Sequence, residues 1–241
     1  MSTDAKIILY TNHGCPWAHR AHIALEELGI PYEEVIIDLS VPRTAEYLAI
    51  NPRGLVPALS YNGEIIAESA IVVQFLVDAY PSHLVKPADS VAGALERARV
   101  SFFVDAYMSK FQGQLYKFYG AKTSEEEEAI VDAAVAALVK EVEPLLTSAK
   151  PYFGGSDRLT LAEVLTGSFV IRLVALLKGN VYPHSADFTA QLKEKTPNFY
   201  QWANAVANHP SVTSIFNEES IVEKTRERLQ KARAAAAAAS A

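Results

Sequence analysis

Tyr10-Thr11-Asn12-His13-Gly14-Cys15-Pro16-Trp17-Ala18-His19-Arg20 is the stretch on which the fold turns. Its approach, Ile7-Ile8-Leu9-Tyr10, is an apolar run of the length of a buried strand. Asn12 and Gly14 mark a turn. After Cys15 comes Pro16, and then Ala18, Ala21, Ile23, Ala24, Leu25 and Leu28 recur at helical spacing. Proline suits the first helical position, where no N–H is needed. Cys15 therefore stands where a strand gives way to a helix, at the end where free N–H groups and the helix dipole favour an anion. Such a seat favours the thiolate, the reactive form of cysteine. Cys15 is the only cysteine in the chain. It reads either as a reactive thiol or as an inert buried one, and its place at the helix head points to the first.

The 241 residues are half hydrophobic, enough for one large domain or two small ones. A net charge of −6 and a pI of about 5.6 leave no strong basic field to attract nucleic acid. One cysteine excludes an internal disulfide and suits a reducing, cytoplasmic setting. Residues 1–6 lack the basic-then-apolar pattern of a secretory signal. The most apolar segment, 164–177, is short and interrupted by Arg172, so no membrane span is expected.

From residue 6 to about 80, strand and helix signals alternate. A strand over 7–11, a helix over 16–28 stopped by Gly29, and a strand over 32–37 form a parallel, right-handed βαβ unit. A short helix over 43–49 ends at Asn51-Pro52-Arg53-Gly54. Strands over 56–61 and 64–67 flank Asn62-Gly63, a strong hairpin signal. Glu68-Ser69 leads into a helix over 70–79, closed by Pro81. The first domain is thus 1–80, and residues 81–91, with Pro81, Pro87 and Ser90, read as a linker.

Beyond the linker the strand signals vanish, and 92–233 reads as an all-helical domain. A long helical stretch over 91–119 bends near Gly113. Ser124 caps a helix whose first turn, Glu125 to Glu128, suits the dipole rather than a metal. Pro144 bends or shortens its far end. Thr160 and Glu163 form a capping box ahead of a nearly all-apolar helix at the centre of the domain. Arg172, the only charge in that apolar run, reads as a paired structural arginine or as a residue at the edge of a ligand cleft. Short helices over 197–208 and 211–216 precede a basic helix over 220–233. The Ala-rich residues 234–241 read as a disordered tail.

Two further elements carry chemistry. Val56-Pro57 places a proline at the start of a strand, where it donates nothing to the ladder. Ser69 opens a helix, either as a plain N-cap or as part of a carboxylate site, with Glu68 placed to neutralise an ammonium. The order βαβ-α-ββ-α with Cys-Pro at the first helix start resembles the thioredoxin and glutaredoxin fold. Ala18 stands where dithiol enzymes carry a second cysteine. A mixed disulfide on Cys15 would then need an external thiol to resolve it, which points to a glutathione-dependent monothiol cycle.

With an all-helical domain after the linker, residues 5–220 resemble a cytosolic glutathione transferase. Cys15-Pro16-Trp17-Ala18 is similar to the Cys-Pro-aromatic-Ala motif of the omega-like, cysteine-active branch, and residues 51–59 and 68–71 are similar to the family's glutathione-binding segments. The resemblance implies that Cys15 forms a mixed disulfide with the cosubstrate glutathione and that Pro57 follows a cis bond. It implies that Val56 pairs with the cysteinyl backbone and that Glu68 and Ser69 hold the γ-glutamyl end. Arg43 stands closest to the family's glycyl-carboxylate lysine. It also implies a homodimer and no metal. An electrophilic or glutathionylated second substrate is expected against Trp17, Tyr107 and Phe111, unless those aromatics are core or dimer interface. Three activities remain in play: a thiol transferase that removes glutathionyl groups or reduces dehydroascorbate, a conjugating transferase in detoxification using a hydroxyl such as that of Tyr10 or Thr11, and a non-catalytic binding module.

Overall fold

The computed structural model describes residues 5–238. Its first part is a four-stranded mixed sheet ordered β2-β1-β3-β4. The central β1 (Ile7–Thr11) pairs parallel with β2 (Glu33–Ile36), Leu9 opposite Glu34, and antiparallel with β3 (Ala58–Tyr61). Ile7, Leu9 and Thr11 are buried along β1, whereas β2 is an exposed edge. β4 (Glu64–Ala67) returns from β3 through Asn62 and Gly63, whose φ values of 51° and 93° are those an Asn-Gly hairpin turn requires. α1 (Pro16–Leu28) crosses between the parallel strands and ends on Gly29 in the left-handed region, φ 61°. α2 (Ala45–Ile50), capped by the Thr44 hydroxyl, and α3 (Ser69–Ala79) complete the βαβ-α-ββ-α order of a thioredoxin-like domain.

The rest is helical. α4 (Val91–Asp105) runs on through a π-helical stretch (Ala106–Gln112), the single turn α5 (Gly113–Leu115) and a 3-10 turn (Tyr116–Tyr119). The widened turns thus lie just ahead of Gly113, where a bend is expected. α6 (Ser124–Ala137) is capped by Thr123 rather than Ser124: Thr123 is extended and its hydroxyl accepts from the Glu126 N–H at 3.2 Å, while Ser124 is already helical. Approaching Pro144 the chain loosens into π and 3-10 turns.

α7 (Leu161–Lys178) is buried along most of its length and packs against α1, α4, α8 (Ser185–Lys195) and α9 (Pro197–Ala207). α8 has no counterpart among the sequence expectations, because only Phe188 and Leu192 give its polar run an apolar face. The predicted capping box is present, and Glu163 does more than cap. Its carboxylate accepts from the Thr160 N–H (2.9 Å) and hydroxyl (2.7 Å), the Phe153 N–H (2.8 Å) and the Trp202 indole (2.6 Å). Burial raises its pKa, against those hydrogen bonds.

The connection between the two parts is packed down: Leu84 and Val85 are buried, and the Leu84 carbonyl accepts from the Leu161 N–H at 2.8 Å. After α10 (Pro210–Thr213), α11 (Glu218–Ala238) continues through the alanines. This corrects the disordered tail expected from residue 234: alanine is the strongest helix former and extends the helix. Residues 239–241 lie outside the described residues. No described helix is long and apolar enough to cross a membrane.

Candidate functional site

Cys15 is seated by backbone. Asn12 folds the loop leaving β1: its side-chain oxygen accepts from the Gly14 N–H, its amide donates to the Ile37 carbonyl, and its own carbonyl accepts from the Cys15 N–H, each at 2.9 Å. Cys15 is the N-cap of α1, Pro16 follows, and no side chain caps the first turn. The half-buried thiol faces the Val56 carbonyl at 3.9 Å and packs beside Tyr10, Ala18 and Val56.

Arg172 reaches this loop from α7. Its guanidinium donates to the carbonyls of Ser168 (2.7 Å), Gly14 (3.3 Å) and His13 (3.4 Å), and to Nδ1 of His19 (3.0 Å). It is buried and forms no carboxylate ion pair among the described residues. Desolvation lowers its pKa to about 10, and the nearby Cys15 opposes that fall. Arg172 thus has a structural role, but through backbone carbonyls and His19 instead of an ion pair: it ties the loop to α7 and brings a positive charge within reach of the thiol. His19, one turn into α1, is held neutral by burial and then by the Arg172 charge.

The Val56-Pro57 bond is cis, and the Val56 N–H has no backbone partner among the described residues. Glu68 sits at φ 72° at the head of α3, with its carboxylate paired to the Arg53 guanidinium. Ser69 is buried, and its hydroxyl accepts from Arg20 at 3.3 Å. Arg20 has no carboxylate partner among the described residues, and its Nε makes no hydrogen bond there. Arg43 is engaged by the loop itself: it donates to the carbonyls of Asp38 (2.7 Å), Val41 (2.5 Å) and Gly54 (3.0 Å).

Aromatic side chains stand beside the Cys15 loop, but not all of the residues expected. Trp17 is 39% exposed and meets Phe169 edge-on at 4.8 Å, with the Arg20 guanidinium 4.6 Å over its ring. Tyr107 and Phe111 are fully buried in the core, in contact with each other, with Phe199 and, for Tyr107, with Trp202. This corrects their assignment to the second-substrate wall. The reason lies in the sequence: Val100, Phe103, Tyr107, Phe111 and Leu115 fall three or four apart and form one inward stripe. Tyr116, just past that stripe, is 48% exposed. Burial raises its pKa, and Arg20, Cys15 and Arg172 are among the charges that act on it. Arg20, on Ser69, and Tyr116, near Cys15, are candidate site residues that had no part in the sequence analysis; a lone arginine among the apolar positions of α1 was the available signal for Arg20.

Residues 14–79 match the family described as Glutathione S-transferase, N-terminal domain. Over 220 residues the chain is 30% identical to Glutathione S-transferase omega-1 of Sus scrofa, covering 89% of this chain and 82% of that protein. It is 27% identical over 215 residues to the Rattus norvegicus omega-1 protein, covering 88% and 81% of the two chains. Among solved structures it is similar to glutathione transferase Omega 2C from Trametes versicolor, at 28% identity and a TM-score of 0.78, over 93% of this chain and 99% of that one.

Proposed function

The chain belongs to the glutathione S-transferases, is omega-like and is a glutathione transferase; from that premise we propose that it works as a thiol transferase through a mixed disulfide on Cys15. The observation that carries this reading is the seat of the sulfur: a half-buried lone cysteine at an uncapped helix start, with the Arg172 charge behind it. In the first step the Cys15 thiolate attacks the glutathionyl sulfur of a mixed-disulfide substrate. The S–S bond breaks, the substrate leaves as a thiolate and takes a proton, and glutathione stays on Cys15. A second glutathione thiolate attacks that sulfur, releasing oxidised glutathione and restoring the Cys15 thiolate. Reduction of dehydroascorbate by two glutathiones is the related activity of the same site. Because the cycle consumes reduced glutathione, we place the protein in a reducing, cytoplasmic setting.

In this reading Val56 presents its free N–H to the cysteinyl backbone, beside Pro57. Ser69, backed by Arg20, receives the γ-glutamyl carboxylate, and Glu68 receives the ammonium. Arg43 reaches the glycyl carboxylate with what the loop leaves of its guanidinium. Trp17 and Tyr116 form the wall for the second substrate, with the buried Phe169 packed behind Trp17. We also propose a homodimer through α4. Val91, Leu95 and Phe102 are exposed and lie within about 40° of one another at ~100° per residue, a stripe suited to a second copy.

Cys15→Ser tests the chemistry. It abolishes thiol transfer while glutathione binding persists, and incubation of the native chain with oxidised glutathione adds one glutathionyl group at Cys15 by mass spectrometry. Full activity in the variant would overturn the reading. A conjugating activity is favoured by one observation, the half-exposed Tyr116 phenol near the sulfur. Turnover of a chloro-nitro aromatic that survives Cys15→Ser would select it.

A further inference from the structure

We propose that His13, His22 and Glu34 form a binding site for a divalent ion of the zinc class, beside the loop that carries Cys15. The three donors come from three elements: the β1–α1 loop, α1 and the edge strand β2. The His13 Nε2 lies 2.5 Å from the Glu34 Oε1, the His22 Nε2 lies 3.7 Å from the same oxygen, and all three donor atoms fall within 4.8 Å of one another. Around a tetrahedral ion with bonds of about 2.0–2.2 Å, donors stand roughly 3.3–3.5 Å apart. The present spacings straddle that value, so the ion enters by parting His13 from Glu34 by less than an ångström and drawing them toward His22. The side chains can make that adjustment: His13 and Glu34 are 46% and 32% exposed, while His22, 1% exposed, is the fixed post.

The surroundings of His22 suit a ligand. Its Nδ1 is hydrogen-bonded to the Tyr32 hydroxyl at 2.8 Å, the outer-shell bond that fixes the ring of a metal-bound histidine and leaves Nε2 as donor. Nε2 now meets the Thr11 hydroxyl at 2.8 Å, and binding exchanges that one hydrogen bond for the ion. Two imidazoles and one carboxylate match zinc and its neighbours, not magnesium, which prefers oxygen donors and keeps its water. With three protein ligands and an exposed side, the fourth position is open to water. A bound ion would fasten the Cys15 loop to β2, as Arg172 fastens it to α7. The site uses none of the groups assigned to glutathione and does not depend on that assignment.

Calorimetric titration of zinc chloride into the whole chain as its Cys15→Ser variant tests the proposal, with magnesium chloride as the control. One zinc ion per chain is expected, with no magnesium binding. His13→Ala and Glu34→Gln, each made in that background, lower zinc affinity at least ~10-fold, the least that even an outer-shell loss typically costs. Both positions are exposed, and circular dichroism without zinc verifies that the variants fold. His13→Gln, which keeps a polar side chain of similar reach, serves as the second variant. Unchanged affinity in the variants, or no saturable binding below millimolar zinc, overturns the site and leaves a histidine–carboxylate pair. Binding present only when Cys15 is intact assigns the ion to the thiol and also overturns it.

Discussion

Arg172 and His19 show how single residues set the site. The Arg172 guanidinium lies within electrostatic reach of Cys15 and donates to the two carbonyls just ahead of it. Arg172→Gln removes the charged donor that ties the His13 and Gly14 carbonyls to α7 and is expected to cost about 1.5–3 kcal/mol, read from urea unfolding. His19 gives a pH dependence. Burial first, then Arg172, hold its pKa well below the ordinary value. The unfolded chain takes up this proton near pH 6.5 and the folded chain does not. Stability is therefore full above about pH 6.5 and falls below it; His19→Gln, which keeps an acceptor for Arg172 but does not titrate, lessens that slope in urea midpoints measured from about pH 7 to 5, and the buried His22, whose pKa is also lowered, supplies the rest. Cys15 was legible because its signal is local, a strand, a turn and a proline in sequence. Tyr107 and Phe111 were misplaced because aromatic character outweighed the helical stripe they share with Phe103. His13, His22 and Glu34 were invisible, since only the pairing of β2 with β1 brings Glu34 to the histidines.

At the scale of elements, the head of α7 is the best-determined joint. The Glu163 carboxylate satisfies four donors from Thr160, Phe153 and Trp202. Glu163→Ala orphans them in the interior and is expected to cost about 3 kcal/mol or more, read from urea unfolding. Half of this was readable: Thr160 and Glu163 stand at capping-box spacing, but nothing local announces that Trp202, from another helix, donates to the other oxygen of the same carboxylate. The connection into α4 is equally close-fitting. A Cβ at Gly93 would stand 1.9 Å from the Pro87 carbonyl oxygen, so backbone must move. Gly93→Ala is expected to lose ~1–3 kcal/mol, seen as a lower melting temperature. The sequence marked this segment as a linker by its prolines and serines; the burial of Leu84 and Val85 depends on partners far along the chain.

For the whole molecule, the α4 stripe of Val91, Leu95 and Phe102 is the face we assign to self-association. Phe102→Glu is expected to give a monomer by light scattering at micromolar concentration with the fold intact, since the side chain is exposed in the single chain and lost only from an interface. The two-part architecture itself was readable, because helical and alternating patterns change at residue 81. What the pattern hid is the dependence of one part on the other. The guanidinium that grips the carbonyls of His13 and Gly14 is carried by α7. Chimeras that join this sheet to a foreign helical half should thus inherit a slack turn at the head of the first helix, unless the donor helix brings an arginine at the matching turn.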